Sequence, residues 1–191
     1  MRRLILQTGI SIDGYVAALD RSHPWSEGSE EDEAFKHSIL DSVWAAGAHL
    51  MGRVTYEEMA AHWPTSTSDF ARPMNEIPKV VFSKTLQHAD WPETRIARGD
   101  LAEEIGRLKR EPGNDLIAYG GAALDQALTR LGLVDEYRLM IQPAALGAGL
   151  PLFKDLDAPL HLELVEVTTY ARDVAIHIYR PRSRPADQQV D

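Results

Sequence analysis

The chain of 191 residues contains no cysteine. This absence excludes a disulfide framework, a thiol nucleophile and a thiolate metal site. The chain also lacks an apolar run of membrane-spanning length, and the apolar residues after Arg2 and Arg3 are too few for the core of a signal peptide. We therefore expect a cytoplasmic location and no membrane contact.

Positive charge is scarce as well. The chain has 20 Lys and Arg residues against 29 Asp and Glu residues, which gives a net charge of −9. A surface of this charge repels polyanions over most of its area, so we expect neither nucleic acid nor an anionic membrane as a partner. Any anion-binding site must therefore be local.

Several motifs that carry chemistry are missing. The seven histidines show no spacing typical of metal ligands, so we expect no metal site. No Walker loop and no Gly-x-Ser-x-Gly sequence is present, which leaves nucleotide hydrolysis and serine hydrolase chemistry without support. Gly147-Ala148-Gly149 lacks a third glycine and runs into Pro151, so it is not a Rossmann fingerprint.

What is present is an alternation of short apolar runs with segments of helical periodicity. Strands are predicted at residues 3–8, 48–52, 79–83, 95–98 and 136–146. Helices are predicted from the acidic run Ser29–Asp32 to Gly47, from Thr55 to His62, and from Asp100 to Pro112. Residues 115–132 predict a strand, a glycine turn and a helix, whereas residues 9–17 and 65–78 are predicted to be loops.

The order of these elements indicates an α/β fold. Residues 160–170 and 173–180 predict a closing antiparallel hairpin. We expect a mostly parallel central sheet with helices on both faces and an antiparallel C-terminal hairpin. One domain is predicted over residues 1–180, followed by a polar, proline-containing tail at 181–191 that we expect to be flexible.

Three junctions share one pattern, in which a strand runs into a polar or glycine turn. They are Gly52-Arg53-Val54-Thr55, Ser83-Lys84-Thr85 and Gly120-Gly121-Ala122-Ala123. The carboxyl ends of parallel strands define the ligand crevice of an open α/β sheet. Glycines and a helix start offer amide donors to a pyrophosphate, and Arg53 and Lys84 offer charge to a further phosphate. Each turn alone is a common structural connection, and Thr55 could serve only as a helix cap.

Five motifs in this order make the chain resemble a known family. The motifs are SIDGY, MGRVTYE, VVFSKTL, YGGAAL and DEYRLMIQPAALGAGLPLF. They occur in the order seen in dihydrofolate reductase-like proteins, and the chain most resembles the reductase domain of the bacterial riboflavin-biosynthesis deaminase-reductase and its stand-alone relatives. The resemblance covers roughly residues 2–180 and implies the three-layer dihydrofolate reductase-like fold.

The resemblance implies NADPH as the cofactor. Gly52, Arg53 and Thr55, with Ser83 and Lys84, would hold its adenosine phosphate side. The pyrophosphate would lie on Gly120, Gly121, Ala122 and Ala123. The loop formed by Ile12, Asp13 and Gly14 would cover the nicotinamide.

The resemblance also suggests where the proton and the substrate ring are held. Asp13 is the first candidate for the acid. The alternative is Asp32 in the acidic run Glu31-Asp32-Glu33, although acidic residues are expected at a helix start without any catalytic task. Trp25 and Phe35 could stack on a flat substrate ring, and Phe35 is as easily a core residue.

One departure from the family limits the inherited substrate. Riboflavin-pathway reductases carry an acidic residue just before the paired glycines, and this chain has Tyr119 there. We therefore expect an NADPH-dependent reductase of a small heterocyclic substrate, which is pterin-like, aminopyrimidine-like or similarly conjugated. The alternative is a non-catalytic NADPH-binding sensor or storage module. Relatives are commonly homodimers, which the resemblance implies here as well.

Overall fold

The computed structural model describes residues 1–24 and 32–182. Ten strands lie in these segments: β1 Leu4–Ser11, β2 Tyr15–Ala17, β3 Ala48–Gly52, β4 Lys79–Phe82, β5 Thr94–Ala97, β6 Leu116–Ala118, β7 Glu136–Gln142, β8 Leu150–Pro151, β9 Leu162–Thr169 and β10 Ala175–Pro181. Five α-helices accompany them: α1 Glu33–Trp44, α2 Arg53–His62, α3 Ala71–Glu76, α4 Leu101–Arg110 and α5 Ala122–Arg130. Among the described residues, no helix is long and apolar enough to cross a bilayer.

Eight strands form one central sheet in the order β5-β4-β3-β6-β1-β7-β10-β9. The six strands from β5 to β7 are parallel to their neighbours, and β10 runs antiparallel to both β7 and β9. The predicted mostly parallel sheet with an antiparallel C-terminal hairpin is therefore confirmed. A second, two-stranded sheet of β2 and β8 was not predicted.

Helices cover both faces of this sheet. Leu50 of β3 shares a core cluster with residues of α4 and α5, namely Ile105, Leu108, Leu124 and Leu128. The next residue, Met51, shares a different cluster with residues of α1, α2 and α3, namely Val43, Tyr56 and Met74. Successive strand residues point to opposite faces, so this division shows the three-layer arrangement.

The helix α3 lies inside the segment 65–78 that the sequence predicted to be irregular. A buried lysine, Lys79, stabilises the end of this helix. The Nζ atom of Lys79 donates hydrogen bonds of 2.9–3.0 Å to the carbonyl oxygens of Met74, Asn75 and Ile77, which end the helix. A cation at a helix C-terminus satisfies carbonyls that have no partner within the helix, and no local propensity signals this long-range arrangement.

Three other boundaries differ from the prediction. β1 continues to Ser11, so only residues 12–14 form a loop before β2. α2 begins at Arg53, two residues before Thr55, because Gly52 serves as its N-cap. β10 reaches Pro181 and therefore includes the first residue of the predicted tail. Residues 183–191 of that tail lie outside the described residues.

Asp32 is the N-cap of α1. Its Oδ1 atom accepts hydrogen bonds from the amides of Ala34 at 2.9 Å and Phe35 at 3.1 Å. Asp32 therefore begins a helix, which agrees with the alternative that acidic residues lie at this position because they stabilise a helix N-terminus. Trp25 and residues 29–31 lie outside the described residues.

Candidate cofactor and substrate site

The carboxyl ends of three neighbouring strands place the predicted turns side by side. Gly52 at the end of β3 pairs with Phe82 at the end of β4, so the Arg53 and Ser83 turns start from adjacent strands. Leu50 pairs with Ala118 of β6, which brings the Gly120 turn to the other side of β3. The parallel register thus gathers segments that lie far apart in the sequence along one sheet edge.

The turns after β3 and β6 touch each other. Gly121 has φ +80°, which residues with a side chain rarely adopt. A Cβ atom at this position would lie 2.8 Å from the Thr55 Oγ1 atom. Glycine is therefore required for the backbone of this turn to approach α2, and the approach leaves a narrow surface of hydroxyl and amide donors.

The first residues of α5 supply amide donors at this surface. Ala122 and Ala123 open the helix after the Gly121 N-cap, and the first amides of a helix have no partner within it. Those amides and the helix dipole attract an anion. The residues present therefore fit a pyrophosphate group.

A buried acid, Asp125, lies beneath this turn. Its Oδ2 atom would be 3.0 Å from a Cβ atom on Gly120, and neither carboxyl oxygen has a hydrogen-bond partner among the described residues. Burial raises the pKa of Asp125 to about 8, so the group is uncharged at neutral pH. A neutral Asp125 does not repel an anion bound above it.

Cations border the turns after β3 and β4. Arg53 is exposed, and its Nη1 atom donates to both carboxylate oxygens of Glu57 at 2.9 Å. Lys84 is exposed and makes no ion pair with another described residue. The two cations therefore differ in their availability to an anion, because Arg53 would first have to break or share its ion pair with Glu57.

The turn after β4 is held from within and from β5. The Ser83 Oγ atom accepts hydrogen bonds from the amides of Thr85 at 3.2 Å and Leu86 at 2.9 Å. Arg98, which follows β5, donates its Nη2 group to the Leu86 carbonyl at 2.6 Å. Arg98 was predicted only as the last residue of the strand 95–98, although an arginine at a strand end was a signal of the same kind as Arg53.

The loop of residues 12–14 lies at the same edge. β1 continues beyond Leu6, which is its last partner on β6, so the loop lies past the Gly120 turn. Ile12 is 66% exposed there, and Gly14 has φ +91°. Ile12 therefore presents an exposed apolar side chain at this edge of the sheet, which a bound ring could cover.

Asp13 ties this loop to a distant segment. Its carboxylate accepts hydrogen bonds from Ser11 Oγ at 2.6 Å, from the Gly147 amide at 2.7 Å and from the Leu146 amide at 3.1 Å. These bonds hold the pKa of Asp13 below its ordinary value. A carboxyl group held ionised is a poor proton donor, so the geometry favours a tether over the predicted acid.

A cavity of about 390 Å³ lies between α1 and the α2–α3 region. Its wall is mainly apolar, with four aromatic side chains: Phe35, Trp63, Phe70 and Tyr119. Tyr119 directly precedes Gly120, so the cavity adjoins the Gly120 turn. A cavity of this size with few polar groups is typical of a site for one small molecule.

Phe35 lines this cavity from α1, and Asp32 is the N-cap of the same helix. Phe35 is 9% exposed, lines the cavity and packs edge-on against Tyr170, so it is both a core residue and a wall. Asp32 caps the same helix with Oδ1, while its Oδ2 atom is buried and has no partner among the described residues. One oxygen of Asp32 therefore stays available for another group.

Comparison with known proteins identifies the family. The model of the RibD C-terminal domain matches residues 2–176. The chain belongs to this family. This chain is 29% identical over 185 residues to the uncharacterized protein YyaP of Bacillus subtilis (strain 168), covering 93% of this chain and 94% of that protein.

Two solved structures share the fold. One is a diaminohydroxyphosphoribosylaminopyrimidine deaminase/5-amino-6-(5-phosphoribosylamino)uracil reductase from Thermotoga maritima, with a TM-score of 0.68, 16% identity and coverage of 95% of this chain and 57% of that chain. The other is a dihydrofolate reductase from Enterococcus faecalis complexed with NADP(H), with a TM-score of 0.64, 14% identity and coverage of 95% and 97%. The predicted dihydrofolate reductase-like fold is confirmed.

Most predicted contact residues of this RibD C-terminal domain share one edge of the sheet. The turns at Gly52, Ser83 and Gly120 are brought together, and the loop at Ile12 lies beside them. No group of three His, Asp or Glu side chains suited to a metal ion occurs among residues 1–24 and 32–182. The sequence did not predict a role for Asp125, because an acidic residue inside a helix is usually exposed and only the structure shows that this one is buried.

The contact between Gly121 and Thr55 can be tested by crowding it. We expect Gly121→Ala to destabilise the fold more than Gly132→Ala, because Gly132 also has positive φ but nothing lies within 4 Å of an added Cβ atom. Positive φ alone costs about 1–2 kcal/mol. The double variant Gly121→Ala/Thr55→Ala should recover the excess, measured by urea unfolding. Equal losses in Gly121→Ala and Gly132→Ala would contradict the close approach.

The burial of Asp125 predicts a pH dependence of stability. The folded pKa of about 8 lies above the ordinary value of 3.8, so the folded state holds a proton that the unfolded state has lost. Stability from this group is complete below about pH 4 and declines as pH rises to about 8, at about 1.4 kcal/mol per pKa unit. Relative to Asp125→Asn, the wild type should lose several kcal/mol between these values in urea unfolding. Parallel curves for the two proteins would show that Asp125 does not titrate in this window.

Proposed function

We propose that the protein is an NADPH-dependent reductase that transfers hydride to a small heterocyclic or similarly conjugated substrate. The observation that carries the proposal is the apolar cavity directly beside the glycine turn at the carboxyl edge of the sheet. Hydride transfer needs a dinucleotide site and an acceptor cavity in contact, and Tyr119 and Gly120 join the two here. The uracil reductase activity in the name of the Thermotoga maritima protein and the NADP(H) bound to the Enterococcus faecalis enzyme support it.

Three parts of the edge would hold NADPH. The amides at Gly121, Ala122 and Ala123 would bind the pyrophosphate, and Thr55 would add a hydroxyl from α2. Arg53, with Ser83 and Lys84, would bind the phosphate of the adenosine ribose. Ile12 and Gly14 would cover the nicotinamide with the loop after β1.

The bound cofactor supplies a hydride, which together with one proton reduces a double bond of the substrate and leaves NADP⁺. The chain must provide the route for the proton and exclude water. We propose Asp32 for the proton, because its Oδ2 atom is buried without a described partner, whereas both oxygens of Asp13 are held by the loop. Phe35 and Trp63 of the cavity wall would exclude water from the ring.

We also propose a homodimer. β9 is an edge strand of the sheet, and three apolar side chains on it are exposed: Leu164 by 52%, Val165 by 43% and Val167 by 45%. An exposed apolar edge strand is a liability that a symmetric partner removes. A monomeric mass in sedimentation equilibrium would refute the dimer. The cytoplasmic location stays a prediction.

The phosphate role of Arg53 predicts a selective loss of affinity. We expect Arg53→Ala to weaken NADPH binding by about 1.5–3 kcal/mol, or roughly 10–150-fold, and NADH binding less than about twofold. Glu57→Gln should tighten NADPH binding, because it releases Arg53 from its present pair. The matched control is Arg72→Ala, since Arg72 pairs with Glu76 four residues later on α3. Equal losses for the two cofactors in calorimetric titration would contradict the role.

Turnover separates the enzyme from a sensor or storage module. We expect loss of reduced-nicotinamide absorbance with at least one acceptor among pterins, aminopyrimidines and quinone-like rings. Asp32→Asn should lower kcat by about 100-fold while the melting temperature holds, because asparagine is an equally good N-cap. Asp13→Asn should lower kcat less. Tight NADPH binding without oxidation by any acceptor would favour the sensor. If Asp13→Asn lowered kcat more than Asp32→Asn, Asp13 would be the proton donor.

A further inference from the structure

The cavity wall is adapted to a flat, apolar ligand. Phe35 faces it from α1, and Trp63 and Phe70, whose ring centroids are 6.5 Å apart, face it from the opposite side. Three methionines, Met59, Met74 and Met140, complete the apolar lining. Aromatic faces stack on planar rings, and methionine side chains adjust to their outline.

Charge is almost absent from this wall. Lys36 is the charged side chain among the described lining residues, and its Nζ atom lies 2.7 Å from the Asp69 carboxylate. Ser68 adds one hydroxyl. An anionic group placed in such a wall loses its hydration and must compete with Asp69 for the Lys36 ammonium, so the cavity disfavours a phosphate or sulfonate.

Among the described residues that line the cavity, Tyr119 has a polar group without a partner. The Tyr119 hydroxyl is buried and forms no hydrogen bond with a described residue. Burial raises the pKa of the Tyr119 phenol well above its ordinary value, so the group keeps its proton. A buried hydroxyl without a partner costs free energy, which a ligand oxygen or ring nitrogen that accepts its hydrogen bond would recover.

The described groups around the Tyr119 hydroxyl give it no hydrogen-bond partner. His49, whose ring centroid lies 5.0 Å from that of Tyr119, is buried, and burial lowers its pKa to about 4. The imidazole is therefore neutral at physiological pH. The charge of Arg138 also acts on the Tyr119 hydroxyl, but the guanidinium of Arg138 is already bonded to Glu136 and Ser42.

We propose that the cavity takes an uncharged planar conjugated ring whose carbonyl oxygen or ring nitrogen accepts a hydrogen bond from Tyr119, with no phosphate inside the wall. The inference rests on the proposed function in treating the cavity as the acceptor site. It assigns Tyr119 as the residue that selects and orients the ring. The substrate class thereby differs from the phosphoribosyl compound named for the Thermotoga maritima relative, at least in the part that enters the cavity.

The test uses a matched pair of probes, 1,4-naphthoquinone and 1,4-naphthoquinone-2-sulfonate. They share a planar ring with two carbonyl oxygens and differ in one negative charge. The chain has no cysteine to add to the quinone ring. Dissociation constants are measured by calorimetry for the free protein and for protein with NADP⁺, which cannot transfer hydride, in the wild type, Tyr119→Phe and Tyr137→Phe.

We expect the neutral quinone to bind at least about tenfold more tightly than the sulfonate. Tyr119→Phe should weaken the neutral quinone about fivefold and leave NADP⁺ affinity unchanged, which also shows that the variant is folded. Tyr137→Phe is the control, because its hydroxyl is buried and already bonded to Thr129 Oγ1 at 3.2 Å, and it should change quinone affinity less than twofold.

Three results would overturn the inference: sulfonate affinity equal to or above that of the quinone, no effect of Tyr119→Phe, or no binding of the quinone. The proposed function fails separately. If NADPH does not bind but the quinone pattern appears, the cavity assignment stands and the reductase does not. If acceptors oxidise NADPH without the Tyr119 and charge effects, the reductase stands and the ring selection does not.

Discussion

The approach of the Gly121 backbone to the Thr55 hydroxyl is the contact on which the candidate site depends. It joins the turn after β6 to the helix after β3, and it exists because the two strands run parallel and in register. A side chain at position 121 would separate the two elements. The first amides of α5 and the Thr55 hydroxyl of α2 would then no longer lie in direct contact.

In a chain with a net charge of −9, the two edges of the sheet differ in how their cations are paired. At the amino edge, the buried Glu136 carboxylate engages Arg3, Arg138 and Arg180 at 2.9–3.2 Å. Those cations stabilise the amino edge of the sheet, and their charge is paired there with the carboxylate. At the carboxyl edge, Lys84 has no such described partner, and the raised pKa of Asp125 reduces the negative charge of that edge at neutral pH.

The sequence predicted the parts of the structure that depend on local patterns. Apolar runs located the central strands, and the paired glycines located a turn with positive φ, because each signal lies within a few residues. α3 could not be found this way, since its end depends on Lys79 folding back from β4. The two candidate proton donors, Asp13 and Asp32, could not be distinguished from the sequence. In the structure both oxygens of Asp13 accept hydrogen bonds, whereas one oxygen of Asp32 caps α1 and the other has no described partner. The buried state of Asp125 and the Tyr119 hydroxyl depends on packing between distant segments.

The methionine lining of the cavity has a consequence for a chain without thiols. Of the five methionines, three lie in this wall. With no cysteine to react first, thioether sulfur is the atom most open to peroxide. Conversion to the sulfoxide adds a polar oxygen to an apolar surface. Met1 is almost fully exposed and lies outside the cavity, whereas Met59 and Met140 of the wall are half-buried, so their oxidation would change the polarity of the cavity itself.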